Sequence, residues 1–135
     1  MIHLHLKINE RPVTWNTFYS GRHWSKRKAL RDRWHMLALA AVMESGFDRQ
    51  LPWAFVGVRM NIRGKRHVPD ASNVWFKAIE DAIVERGILQ DDSPEYVRAV
   101  IITVRTECDA DSLEFVLADD TGDITRLFAL NGDSG

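Results

Sequence analysis

Residues 2–8 (IHLHLKI) alternate apolar and polar side chains, the two-residue period of a half-buried strand. The alternation sets Ile2, Leu4 and Leu6 on one face and His3 and His5 on the other. Histidines at i, i+2 could ligate a metal, and a solvent-facing strand edge explains them equally well. Residues 11–24 (RPVTWNTFYSGRHW) break the period, with Pro12, Asn16 and Gly21 as loop punctuation. A helical period follows. Ser25 is placed to cap it, Leu30, Trp34, Leu37, Ala38 and Ala41 recur at helical spacing, and the helix is expected to end near Glu44, before Gly46. Residues 54–62 (AFVGVRMNI) read as a second strand, leading into a basic turn at 63–67 (RGKRH). Val74, Trp75, Ala78, Ile79, Ala82 and Ile83 then predict the buried stripe of a second helix over 71–86, with Gly87 as its C-cap. Residues 96–106 (YVRAVIITVRT) are dense in β-branched types and predict a central strand. Residues 112–118 (SLEFVLA) are expected to pair with it across a turn at 107–111.

The predicted order is therefore strand, helix, strand, helix, strand, strand, with no repeat or linker. Layer logic turns it into a single small α/β (α+β) domain, a mixed sheet with two main helices packed against it. Residues 1–120 form that domain, and 121–135 form a tail with at most a short helix before a frayed end. A chain of 135 residues buries a core without covalent staples. Cys108 is the single cysteine, which excludes an internal disulfide and a thiolate metal cluster and suits a reduced, cytoplasmic structural thiol. No apolar run approaches the ~20 residues of a membrane span, and MIHLHLKINE lacks the features of a secretory signal. No membrane partner is expected.

Charge changes the picture. The net charge of −1 hides a split: residues 1–69 carry 13 Lys+Arg against 4 Asp+Glu, and residues 70–135 carry 5 against 15. Basic surfaces attract phosphates and clustered acids attract hard cations, so the two together hint at metal-assisted work on a polyanion. Within 11–24, Trp15, Phe18, Tyr19 and Trp24 are interleaved with Arg11, Arg22 and His23, a mixture suited to stacking on bases and contacting phosphates, or else to capping the core. Lys26, Arg27, Lys28, Arg31 and Arg33 crowd the first turns of the first helix, where they oppose its dipole and would be relieved by an external anion.

The acids lie further on. A regular helix over 71–86 would stack Asn73, Lys77 and Asp81 on one side, with Asp70 above them at the N-terminus. Taken alone these residues read as an N-cap and an i, i+4 ion pair on a solvated face. The doublet Asp91–Asp92 adds two adjacent like charges, which persist most readily when a cation or solvent relieves them. If the helix start and the doublet meet, Asp70 and Asp92 could hold a hard divalent ion that activates water and polarises a phosphodiester. Lys77 would then neutralise the developing charge.

The succession Asp70, Asn73, Lys77, Asp81-Ala82-Ile83, Gly87 and Asp91-Asp92 resembles the RusA family of Holliday-junction resolvases, and INERPVTWNTFYSGRHW is similar to that family's strand, loop and basic helix. The likeness spans roughly residues 4–106. It implies a homodimeric phage or prophage endonuclease that binds branched four-way DNA and cuts it with Mg²⁺, Mn²⁺ substituting, and with no small-molecule cofactor. The implied catalytic residues are Asp70, Asp92 and Lys77, and the implied metal ligands Asp70 and Asp92, with Asp91 beside them. Expected DNA contacts are Arg22, Lys26, Arg27, Arg31, Arg63, Lys65, Arg66 and Asn73. Two departures stand out. Ser72 occupies the place of a second acid, leaving Asp81, Asp91 or Glu95 to supply its oxygen, and the step from Asn73 to Lys77 is one residue longer than usual. The alternative implied by Ser72 is a DNA-binding module on the same fold that does not cut.

Overall fold

Alternation along the first strand, β-branched density in 97–108 and apolar runs in the other two produce four strands, and the helical periods produce the layer that covers them. A computed structural model describes residues 1–19 and 24–130. In chain order the elements are β1 (Ile2–Ile8), α1 (Trp15–Tyr19), α2 (Trp24–Ser45), β2 (Ala54–Arg63), a 3₁₀ turn (Ala71–Asn73), α3 (Lys77–Glu85), β3 (Val97–Cys108), β4 (Ser112–Ala118) and α4 (Thr121–Leu127). The sheet is mixed, in the order β1-β4-β2-β3, and the α+β class expected from the pattern is the observed one.

Strand parity divides the interior in two. Leu4, Leu6 and Ile8 of β1, Val56, Val58, Met60 and Ile62 of β2, and Leu113, Phe115 and Leu117 of β4 belong to one buried cluster. The same cluster takes in Trp34, Ala38 and Val42 of α2 and Ala78, Ile79, Ala82 and Ile83 of α3, four residues of the predicted stripe. A smaller cluster lies on the second face of the sheet, where Ile124 and Phe128 cover Val116 and Ala118. Asp120 caps α4 by accepting the Gly122 N–H at 2.7 Å. Gly57 leaves room for this docking: a Cβ there would lie 2.7 Å from Ile124 Cγ2 and 3.0 Å from Phe128 Cε2.

Three expectations are corrected. The strand over 112–118 does not pair with the one over 96–106. β4 runs antiparallel between β1 and β2, whereas β3 pairs with β2 in parallel and forms an edge. Burial supplies the reason. All seven residues of β4 are buried and none of the twelve of β3 is, so the central place goes to the strand that can be covered on both faces. The parallel pairing is closed by a crossover through α3, as parallel neighbours require. Asp111 holds the return path past the end of β2, its Oδ1 accepting the Arg63 N–H at 2.8 Å.

The second correction concerns α3, which starts at Lys77 and not at residue 71. Asp70–Asn73 forms a 3₁₀ turn, after which the chain is extended: Val74 bridges Thr14, and the Trp75 N–H donates to the Val13 carbonyl at 2.8 Å. An N–H committed to a distant segment of the chain cannot serve a helical turn. The predicted end holds: the N–H groups of Gly87 (φ 73°) and Ile88 donate to the Val84 and Ile83 carbonyls at 2.9 and 3.0 Å, a Schellman closure. Third, the segment read as loop over 11–24 contains α1, and Thr14 Oγ1 accepts the Thr17 N–H at 3.1 Å to cap it.

Replacing Gly57 by alanine should force Ile124 and Phe128 off the sheet and destabilise the fold by about 1–3 kcal/mol, the usual cost of overpacking. Urea denaturation of the variant measures it, and an unchanged midpoint would contradict the packing of α4 described above.

Candidate active site

The late start of α3 puts Lys77 in its first turn, facing the loop that carries the acidic doublet. Lys77 Nζ donates to Asp92 Oδ2 and lies 3.4 Å from Asp81 Oδ1, the expected i, i+4 partner. Asp91 is within hydrogen-bonding reach of Asp92. The bond to Asp92 raises the lysine above its ordinary value against the opposing effect of burial, and the same bond lowers Asp92. At neutral pH the pair is therefore ionised. The loop itself is set by apolar anchors: Ile88 and Leu89 are buried, and the Leu51 N–H donates to the Ile88 carbonyl at 2.7 Å.

The extra residue between Asn73 and Lys77 lies in the non-helical link 74–76, so it is absorbed before α3 begins. Asn73 accordingly belongs to the 3₁₀ turn and not to the helical side formed by Lys77 and Asp81, a correction to the expected stack. Asp70 occupies the N-cap position of that turn, but its carboxylate is exposed and makes no cap hydrogen bond. Ser72 is exposed beside it.

Glu80 was not singled out from sequence, because it borders the apolar stripe one residue after Ile79. It lines a small cavity with Asp92, Ile83, Leu89 and Phe115. Burial pushes its carboxyl up to about 7, Lys77 works against that rise, and the charges of Asp92 and Asp81 add to it. The only sequence signal was an acid three residues after Lys77, next to the stripe.

All the acidic donors here are carboxylate oxygens, which suits a hard divalent ion. Among the described residues, however, no three His, Cys, Asp or Glu side chains are arranged to hold one, and Asp92 is neutralised by the Lys77 ammonium. Ion binding in this arrangement requires Lys77 Nζ to give up or share Asp92. The histidines of β1 are partnered too: His5 Nε2 donates to Glu114 at 2.8 Å, and His3, its side chain only 11% exposed, lies against Asp119 and Arg49. His3 is therefore not on a solvent-facing edge.

Of the expected DNA contacts, Arg22 lies outside the described residues. Lys26, Arg31, Arg63, Lys65 and Arg66 are exposed, and Arg27 is half-buried. Lys65 lies 3.5 Å from Glu107. Lys28 is tied to Asp32 at 2.8 Å and Arg33 to Glu10, so part of the basic charge on α2 is met within the chain. Trp15 and Trp24 are 41% and 64% exposed, so neither ring is buried in the core. Among the described residues no helix is long and apolar enough to cross a membrane. No protein-family model matches the chain, and no curated protein matches it.

Glu80 generates a pH prediction. Its folded value lies above the ordinary glutamate value, so its contribution to stability is full below about 4.5 and falls away as pH rises through about 7. With divalent ions chelated, Glu80→Gln should melt above wild type at pH 8 and no higher than wild type at pH 4. Equal melting temperatures at pH 8 would show that the carboxyl carries no burial penalty.

Proposed function

We propose that the protein is a Mg²⁺-dependent, structure-selective DNA endonuclease that hydrolyses phosphodiesters at four-way junctions, acting in recombination and repair as a homodimer. What supports this most is the contact between Lys77 and Asp92, which brings together two residues of the RusA-like block 15 positions apart, with Asp81 and Asp91 alongside. Asp70, Asp92 and Asp91 would hold Mg²⁺, with Mn²⁺ as a substitute, once Lys77 shares Asp92 and the carboxylates, which do not form a three-ligand group in this structure, converge on the ion. When bound, the ion would lower the pKa of a coordinated water and polarise the phosphodiester. Asp92 supplies an anionic ligand because its carboxyl stays ionised, and Lys77, held cationic, would offset negative charge growing on the phosphate oxygens. Lys26, Arg27, Arg31, Arg63, Lys65, Arg66 and Asn73 would contact the DNA backbone, together with Arg22.

A second reading has its own observations. Ser72 brings no charge to the site, and Asp92 is met by an internal cation, as in a junction-binding module that does not cut.

Cleavage separates the two. A synthetic four-way junction should be cut in Mg²⁺, and Asp70→Asn or Asp92→Asn should slow cutting by more than about 100-fold, the upper range for losing even an outer partner of a metal site, while leaving junction binding intact. A wild-type protein that binds the junction and leaves it whole in both Mg²⁺ and Mn²⁺ would falsify the nuclease reading in favour of the second.

A further inference from the structure

A helix covers only half of the second face of the sheet. α4 closes the rows that contain Val116 with Gly57 and Ala118 with Phe55. The next rows are polar, and register places Lys7, Glu114, Arg59 and Thr103 across one of them and Ser112, Asn61 and Arg105 across the other. Glu114 is buried and accepts from His5 Nε2 (2.8 Å), Arg59 Nε (2.7 Å) and Asn61 Nδ2 (2.8 Å). Asn61, also buried, turns its Oδ1 to Arg105 Nε at 3.1 Å.

Both arginines are thus fixed through Nε, Arg59 with its guanidinium also 4.7 Å over the Phe128 ring. Their Nη donors have no hydrogen-bond partner among the described residues. A guanidinium oriented from behind, its fork left to donate, matches the geometry of an oxyanion. Charge agrees: Lys7, Arg59 and Arg105 face the single carboxylate Glu114, which Arg59 already offsets. Further cations follow in the chain, Arg63 at the end of β2 and Lys65 and Arg66 just after it, with Lys65 3.5 Å from Glu107.

We propose that this helix-free half of the sheet face binds backbone phosphates of nucleic acid, with the exposed Arg105 as the phosphate ligand and Arg59, its side chain 11% exposed and paired to Glu114, adding charge on the adjacent row. The assignment rests on the nucleic-acid reading above and adds to it a surface built on strands β2 and β3, apart from α2 and the acidic cluster. The pre-set forks bind with little loss of side-chain freedom, and several cations spread over residues 59–66 favour a polymer over a lone anion.

The test is the salt dependence of DNA binding by the full chain, read by fluorescence anisotropy from about 50 to 200 mM salt. Arg105→Gln should lower the slope of log K against log salt by about 0.9, one phosphate contact, and Arg105→Lys should restore it. Circular dichroism checks that the variants fold. If Arg105→Gln does not fold, the Nε–Hε signals of Arg59 and Arg105 in the wild type serve instead, and they should move on adding a DNA duplex. A wild-type slope in folded Arg105→Gln, or immobile signals, overturns this site and leaves the nuclease reading standing. Movement with inorganic phosphate but not with DNA also overturns it. A wild type that binds no DNA removes both.

Discussion

The burial of β4 on both faces is the constraint from which most of the architecture follows. A strand covered on both sides needs neighbours on both edges, and β1 and β2 supply them. Its parity then sends Leu113, Phe115 and Leu117 into the helical layer and Ser112, Glu114, Val116 and Ala118 to the other face. A carboxylate is thereby carried into the interior, where an unpaired charge would cost several kcal/mol. The donors from His5, Arg59 and Asn61 answer it. Burial alone would raise the Glu114 carboxyl, yet these three bonds and the Arg59 charge hold it well below the ordinary glutamate range. The polar network is a consequence of where β4 sits, and so is the need for a glycine under α4.

The candidate site depends on two other anchors. The bond from Trp75 to Val13 delays α3 until Lys77, and the Schellman closure at Gly87 turns the chain so that Ile88 and Leu89 enter the core. Lys77 and Asp92 meet because both flanking segments are pinned, not because the pair pulls them together. The two side chains remain 47% and 30% exposed, and an ion pair so open to solvent contributes at most about 1 kcal/mol. Its importance lies in charge. A cation and a group of carboxylates are kept close in a region where burial already pushes Glu80 towards neutrality.

How far the sequence was legible follows the range of the interactions. β1, β2, β4 and α2 were readable to within a residue or two because alternation and helical spacing are local, and the Gly87 stop was readable because a left-handed cap is local too. Strand neighbours were not. Segments 96–106 and 112–118 follow one another and invite a hairpin, yet burial assigns the centre to the second and an edge to the first. The start of α3 was misread for the same kind of reason, since the Trp75 N–H is claimed by a residue 62 positions earlier. Within the site, Asp70, Lys77, Asp91 and Asp92 were legible as chemistry, but the bond between Lys77 and Asp92 was not. Glu114 showed only as an acid in an apolar strand, and nothing nearby in sequence announced Arg59 or Arg105 as its surroundings.

The opposite charges of the two halves of the chain do not become two lobes. β2 comes from the basic half, yet it lies between β4 and β3 from the acidic half, so the halves meet inside the sheet. Arg59 finds Glu114, Arg11 finds Asp111 and His35 finds Glu85 across that division. Pairing of this kind consumes charge selectively. Among the described residues Lys7, Lys26, Arg31, Arg49, Arg63, Arg66, Arg86, Arg98 and Arg105 are left without an ion pair to a carboxylate, while Asp81, Asp91 and Asp92 cluster about one lysine. A near-neutral protein thus keeps unpaired cations and a separate knot of carboxylates with a single internal counter-charge. The proposed metal-assisted nuclease would draw on both features, and net charge alone does not reveal them.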